Sequence, residues 1–195
     1  MTQKTMPELA TEINNWAVTN FGNTPVTHLR VLNNGFPLPG KVVELNWIAP
    51  FFGLAEEIAE LHMALNVPTI ADNYLDEVID AIADIGIYFC DYLARRRTIY
   101  DFSELSIAPH LLDLSIAYGQ IAHCELKHAQ KIRGMGDAEV FSEKHKLACV
   151  SFYNTLNDVS LANSSLTIEE IIDKTFQETV SKRDWKKNNA TGTTC

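Results

Sequence analysis

Two acidic clusters set into apolar, helix-period segments constrain this chain more than any other feature. They lie in residues 53–92, GLAEEIAELHMALNVPTIADNYLDEVIDAIADIGIYFCDY. The first cluster is Glu56, Glu57 and Glu60; the second is Glu77, Asp80 and Asp84. On a helix, residues three or four apart share a face, so Glu57 stands with Glu60, Glu77 with Asp80, and Asp80 with Asp84. Leu54, Ile58, Ala59 and Leu61 flank the first cluster, and Val78, Ile79, Ile82, Ile85 and Ile87 the second. Carboxylates in such surroundings repel one another and resist ionising. A hard divalent cation relieves both problems, because Mg²⁺ takes carboxylate, water and phosphate oxygens. The pattern therefore predicts a carboxylate-bound Mg²⁺ site between two antiparallel helices, with Glu57, Glu60, Glu77, Asp80 and Asp84 as ligands.

The rest of the composition narrows the company such a site keeps. A formal net charge of −9 argues against a broad nucleic-acid footprint, while leaving room for a small anion held by a local basic cluster. Cys90, Cys124, Cys149 and Cys195 have no CxxC spacing and read as reduced thiols of a cytoplasmic protein. No apolar stretch is long enough for a membrane span, and the N-terminus lacks the apolar core of a signal peptide.

Taken in order, the sequence predicts helices and no strand. A short helix covers residues 7–18, with Leu9, Ile13 and Trp16 at helical spacing. An extended, Gly/Asn/Pro-broken connection follows. The next helix covers 42–65, with a possible interruption at Pro50, and ends before Pro68. Asp72 is the expected N-cap of a helix over 74–97, whose Arg95, Arg96 and Arg97 suit its negative end. Further helices are expected over 109–132 and 140–161. A last one, capped by Ser165 or Thr167 with Glu169 or Glu170 in its first turn, is expected to reach Trp185.

The two halves match each other. Segments 53–65 and 118–129 match where they overlap, with Ile58–Ala59 opposite Ile121–Ala122, and 80–93 align with 145–158, placing Tyr88 opposite Tyr153. Glu57 then faces Gln120, Glu60 faces His123, Asp80 faces His145 and Asp84 faces Cys149. The second copy lacks these acids and instead carries cations: Lys127, His128, Lys131 and Arg133 beside a glycine loop, then Lys182, Arg183, Trp185, Lys186 and Lys187. A composite site explains this division, with metal held by the first half and phosphate and base by the second. Drift of a copy released from function explains the loss of acids equally well.

EEIAE (Glu56, Glu57, Glu60), EVID (Glu77 to Asp80) and DAIADIGIYFCDYL, with Asp80 and Asp84, resemble the motifs of MazG-like, all-α nucleoside triphosphate pyrophosphohydrolases. Trp16 with Asn20–Phe21–Gly22, LKHAQKIRG (126–134) and VSKRDWKKN (180–188) resemble other segments of one branch of that family. In that family one copy carries them all, whereas here they are divided between two. The registers differ on whether Glu77 or Asp84 completes the metal set; Asp84 is favoured. The resemblance implies an all-α helical bundle of two MazG-like repeats, the second with degenerate acidic motifs. Residues 1–105 and 106–195 would form the two parts of one compact domain. It also implies Mg²⁺, with Mn²⁺ as a substitute, and a (deoxy)nucleoside triphosphate substrate cleaved to monophosphate and pyrophosphate. Glu56 or Glu57 would be the general base. Lys127, Lys131, Arg133, Lys182 and Arg183 would hold phosphate, and Trp185 or Trp16 the base. A homodimer is compatible with this, and neither nucleic acid nor membrane is expected as a partner. The alternative is a non-catalytic nucleotide- or partner-binding relative.

Plainer readings accompany these. Glu56, Glu57 and Glu60 can form a solvated helix face. His62 can be a boundary histidine. Glu125 and His128 form an ExxH pair of the di-iron type, but no second such pair joins it. His123, His145 and Cys149 offer zinc-type donors, though drift accounts for them as well. Either tryptophan can be packing rather than stacking.

Overall fold

In the computed structural model, residues 3–21, 32–33, 36–37, 46–66, 74–100, 102 and 113–183 are described. They form six α-helices: α1 (Met6–Phe21), α2 (Ile48–Asn66), α3 (Tyr74–Arg96), α4 (Leu114–Gln130), α5 (Ala138–Ser164) and α6 (Ile168–Glu178), followed by a 3₁₀ turn, Val180–Lys182. The all-α expectation holds, with one addition. A two-residue antiparallel pair, β1 (Leu32–Asn33) and β2 (Phe36–Pro37), joins Leu32 to Pro37 and Asn33 to Phe36. The Asn-Gly dipeptide between them in the sequence is a hairpin signal that the strand-free reading passed over.

α3 is the centre of the molecule. It packs against α1, α2, α5 and α6, and α4 packs against α5 and α2. That is why its apolar residues occupy more than one stripe: Val78, Ile82, Ile85, Phe89, Leu93 and also Ala83, Ile87 and Cys90 are buried. Two antiparallel hairpins, α2–α3 and α4–α5, make up most of the fold. In the first, a methyl group at Gly53 would meet the Tyr88 ring at 2.6 Å, so the two helices cross closely there. The internal match carries Gly53 to Ile116 and Tyr88 to Tyr153. Twelve residues up α4 and twelve down α5 from those positions, His128 stacks on Phe141 with ring centroids 4.1 Å apart. That stack is a point where α4 meets α5, as Gly53 and Tyr88 are for α2 and α3.

Several boundaries differ from expectation. Pro50 does not interrupt α2, because it falls in the first turn, where a missing N–H costs nothing. α4 begins after Asp113 rather than at Pro109: the Asp113 carboxylate accepts from the Ser115 and Ile116 amides. Asp137 caps α5 in the same way. For α6 the cap is Thr167, whose hydroxyl accepts from the Glu170 amide while the Glu170 carboxylate accepts from the Thr167 amide. α6 ends at Glu178 instead of reaching Trp185, and a 3₁₀ turn continues it. Asp72, Pro109, Trp185, Lys186 and Lys187 lie outside the described residues.

α1 and α6 close over one side of α3. Trp16 meets Phe176 edge-on at 5.7 Å, and Lys4 bridges Glu12 and Asp173 at 2.6 and 2.9 Å. A Cβ at Gly86 would lie 2.5 Å from Ile172, so α6 is seated directly on α3 backbone. Gly119 has open space around it. Gly86→Ala is accordingly expected to destabilise by about 1–3 kcal/mol in urea unfolding. Gly119→Ala should stabilise by about 0.5–1 kcal/mol through helix propensity alone.

Candidate active site

The α2–α3 register sets the acids against one another. One helical turn beyond the Gly53–Tyr88 crossing, Glu57 comes level with Asp84, and one turn further Glu60 and Leu61 come level with Asp80. Glu57 and Asp84 are half-buried, whereas Glu56, Glu60 and Asp80 are exposed. Burial pushes the Glu57 carboxyl up to about 7, with Asp84, Glu60, Glu56 and Asp80 adding repulsion. Burial likewise lifts Asp84 to about 6; Asp80 and Glu60 push the same way, and Arg183 opposes them. Glu77 is exposed at the next turn of α3, level with Ala64, and is not among the charges that raise either group.

Arg183 is thus the cation brought to the acids, carried there by the 3₁₀ turn after α6. Lys127, Lys131 and Arg133 are elsewhere. Lys127 donates to Gln130, Lys131 is the left-handed C-cap of α4, and Arg133 is exposed in the following loop. That loop adjoins the His128–Phe141 stack, and the Arg96 guanidinium lies 4.8 Å over the Phe141 ring. Arg96 is twelve residues along α3 from Asp84, about 18 Å of helix. The basic loop therefore adjoins the C-terminal end of α3, whereas Asp84 lies at the middle of that helix. Lys182 is exposed beside Arg183.

A cavity of about 430 Å³ opens beside the acids, between α1, α2 and α3. Trp16, Phe21, Ile87 and Tyr88 give it apolar walls, and Asp84 and Arg183 reach it. So do Asp91 and Arg95, whose side chains form a buried pair: Arg95 Nε donates to both Asp91 oxygens at 2.8 Å. Asn14 Nδ2 adds a third bond to Asp91 at 2.8 Å. Asn14, Asp91 and Arg95 escaped the sequence reading, in which the arginines stood for a helix end. The Asp91–Arg95 spacing of four residues was the available signal.

The donor chemistry suits a hard cation: oxygen ligands only, with burial first and neighbouring carboxylates second making Glu57 and Asp84 resist ionising. As the side chains stand, no group of three or more His, Cys, Asp or Glu among the described residues is closed around a metal position. Glu57, Asp84, Asp80 and Glu60 are the residues placed to hold one.

The second hairpin puts something different at the matching positions. Tyr100 Oη donates to His145 Nδ1 at 2.9 Å, leaving Nε2–H to donate to Tyr92 Oη at 2.6 Å. Tyr92 in turn donates to Glu125 at 2.7 Å, where Arg96 Nε also donates at 2.8 Å. His145 is fully buried, and burial holds it down to about 4, so the imidazole is neutral as this chain of donors requires. The Cys149 thiol lies 3.7 Å from the same ring. Of the ExxH pair, Glu125 is engaged by Tyr92 and Arg96, while His128 Nδ1 bonds the Met135 carbonyl.

No family model, no curated protein and no solved structure matches the chain. No helix among the described residues is long and apolar enough to cross a membrane.

The raised carboxyls have a definite sign for stability. The fold favours their protonated forms, so their contribution is full below the ordinary carboxylate range and is lost as pH rises through about 6 to 7. Glu57→Gln and Asp84→Asn should therefore lose less thermal stability than wild type between about pH 5 and pH 8. Parallel melting curves for all three proteins across that range would contradict the mutual repulsion described here.

Proposed function

We propose that the protein is a Mg²⁺-dependent nucleotide pyrophosphohydrolase that converts a (deoxy)nucleoside triphosphate to its monophosphate and pyrophosphate. The observation that carries this reading is the half-buried Glu57–Asp84 pair, held near neutrality beside an aromatic cavity that Arg183 also reaches. The family resemblance of its acidic motifs, and the duplication it implies, point the same way.

Glu57, Glu60, Asp80 and Asp84 would hold the metal. When bound, Mg²⁺ supplies charge neutralisation at the phosphates and a site for orienting water. Glu57 is the better candidate for general base than Glu56, because it faces Asp84 from α2, and it would act through an oxygen left unligated. Arg183 would bind phosphate oxygens, as a planar fork does well. Trp16 and Phe21 would bound the nucleoside. Lys127, Lys131 and Arg133 have no part in this mechanism, since they lie by the far end of α3.

The second reading, a nucleotide-binding protein without catalysis, is favoured by one observation: three carboxylates do not converge as the side chains stand. The two readings separate in one assay. Pyrophosphate release from eight NTPs and dNTPs with Mg²⁺ should be lost on chelation and fall by about 10²–10⁴ in Glu57→Gln. Asp84→Ala and Glu60→Ala should also lose it, while Lys131→Ala and Arg133→Ala keep the wild-type rate. Absence of release from every nucleotide, by folded protein that binds nucleotide, would leave only the second reading.

A further inference from the structure

The end of the cavity away from Asp84 holds a charged pair that the pyrophosphohydrolase mechanism does not use. Arg95 is nearly buried, and its Nε is committed to Asp91, four residues back along α3. That bond folds the guanidinium down to the level of Asp91, seven residues or about 10 Å of helix from Asp84. Asn14 fixes Asp91 from α1, so the pair cannot swing away. Among the described residues, no other hydrogen bond engages the Arg95 guanidinium, and Arg95 is one of the residues that line the cavity. Between Asp84 and this fork lie Ile87 and Tyr88 on α3, with Trp16 and Phe21 opposite. A nucleoside with its phosphates at Asp84 and Arg183 lies along these walls, and the edge of its base meets the fork.

We propose, resting on the nucleotide reading above, that Arg95, held by Asp91 and Asn14, is the specificity-determining residue and selects bases that present two adjacent hydrogen-bond acceptors. Guanine does so with O6 and N7, and cytosine with N3 and O2. Adenine sets its amino group beside each ring acceptor on that side, and uracil and thymine set N3–H between their two carbonyls. A planar fork of donors reads an adjacent acceptor pair bidentately and is left partly unpaired by the alternatives. The Asp91 carboxylate serves to hold the fork and cancel its charge, so that a neutral base is accepted where a lone buried guanidinium would demand an anion.

The test is calorimetric binding of GMP, CMP, AMP and UMP to the full chain without metal, which separates base reading from catalysis. GMP or CMP should bind at least about tenfold more tightly than AMP and UMP. Arg95→Lys keeps the charge on Asp91 but removes the fork, and should erase that difference. Should that variant fail to fold, wild type with 7-deazaguanosine and 3-deazacytidine monophosphates gives the same answer. Each analogue replaces one acceptor of the pair by C–H and should lose the advantage of its parent base. Equal binding of all four bases, preference for AMP or UMP, undiminished binding of both deaza analogues, or no binding by folded wild type would each overturn the proposal. Selective binding without pyrophosphate release would leave this inference standing and remove the hydrolase reading. Pyrophosphate release that is indifferent to the base would do the reverse.

Discussion

Burial of the Glu57 and Asp84 carboxyls, with repulsion from neighbouring carboxylates added to it, is what the rest of the molecule has to contain. Two carboxyls lifted to about 7 and 6 are an unfavourable arrangement at neutral pH, and it persists because the helices bearing them have no freedom to separate. α2 and α3 touch almost backbone to ring at Gly53 and Tyr88, one turn away. α3 is clamped by α1, α5 and α6 on its other sides. Apolar burial along α3 thus supplies the stability that offsets a locally unfavourable group of charges, a common relation between a fold and a functional site.

The two hairpins show two solutions to one problem, how to place polar groups between packed helices. In the first, two carboxyls, Glu57 and Asp84, are half-buried near one another with Arg183 opposing the rise at Asp84. In the second, His145 and Glu125 belong to a chain of donors that ends on a carboxylate neutralised by Arg96. A buried network of this kind is stable only when every member is satisfied, and this one runs in a single direction without conflict.

Much of this was legible in the sequence. Helical period and apolar flanks located α2, α3 and α5 to within a few residues, and the capping signature at Thr167 and Glu170 marked the start of α6. The acids that meet across α2 and α3 were recognisable because they interrupt apolar faces. What could not be read was convergence of distant segments. Arg183 and Lys131 are equally basic in the sequence, yet only the path of α6 over α3 decides which reaches Asp84. Tyr92, Tyr100, Glu125 and His145 come from α3, the segment after it, α4 and α5, and nothing local in any of them announces the others. Arg95 does stand in the last turn of α3, but its pairing with Asp91 and Asn14 appears only once α1 lies across α3.

The contact between the first and last described helices has a consequence for biosynthesis. The cavity takes Trp16 and Phe21 from α1 and Val180 and Arg183 from beyond α6, while Gln177 and Asp173 tie α6 back to Glu12 and Lys4. Domains emerge from the ribosome N-terminus first. The acid pair can form once α3 has emerged, but the wall and cation that complete the cavity arrive only with residue 183. Until then a growing chain carries the acid pair without Arg183, the cation that opposes the rise at Asp84.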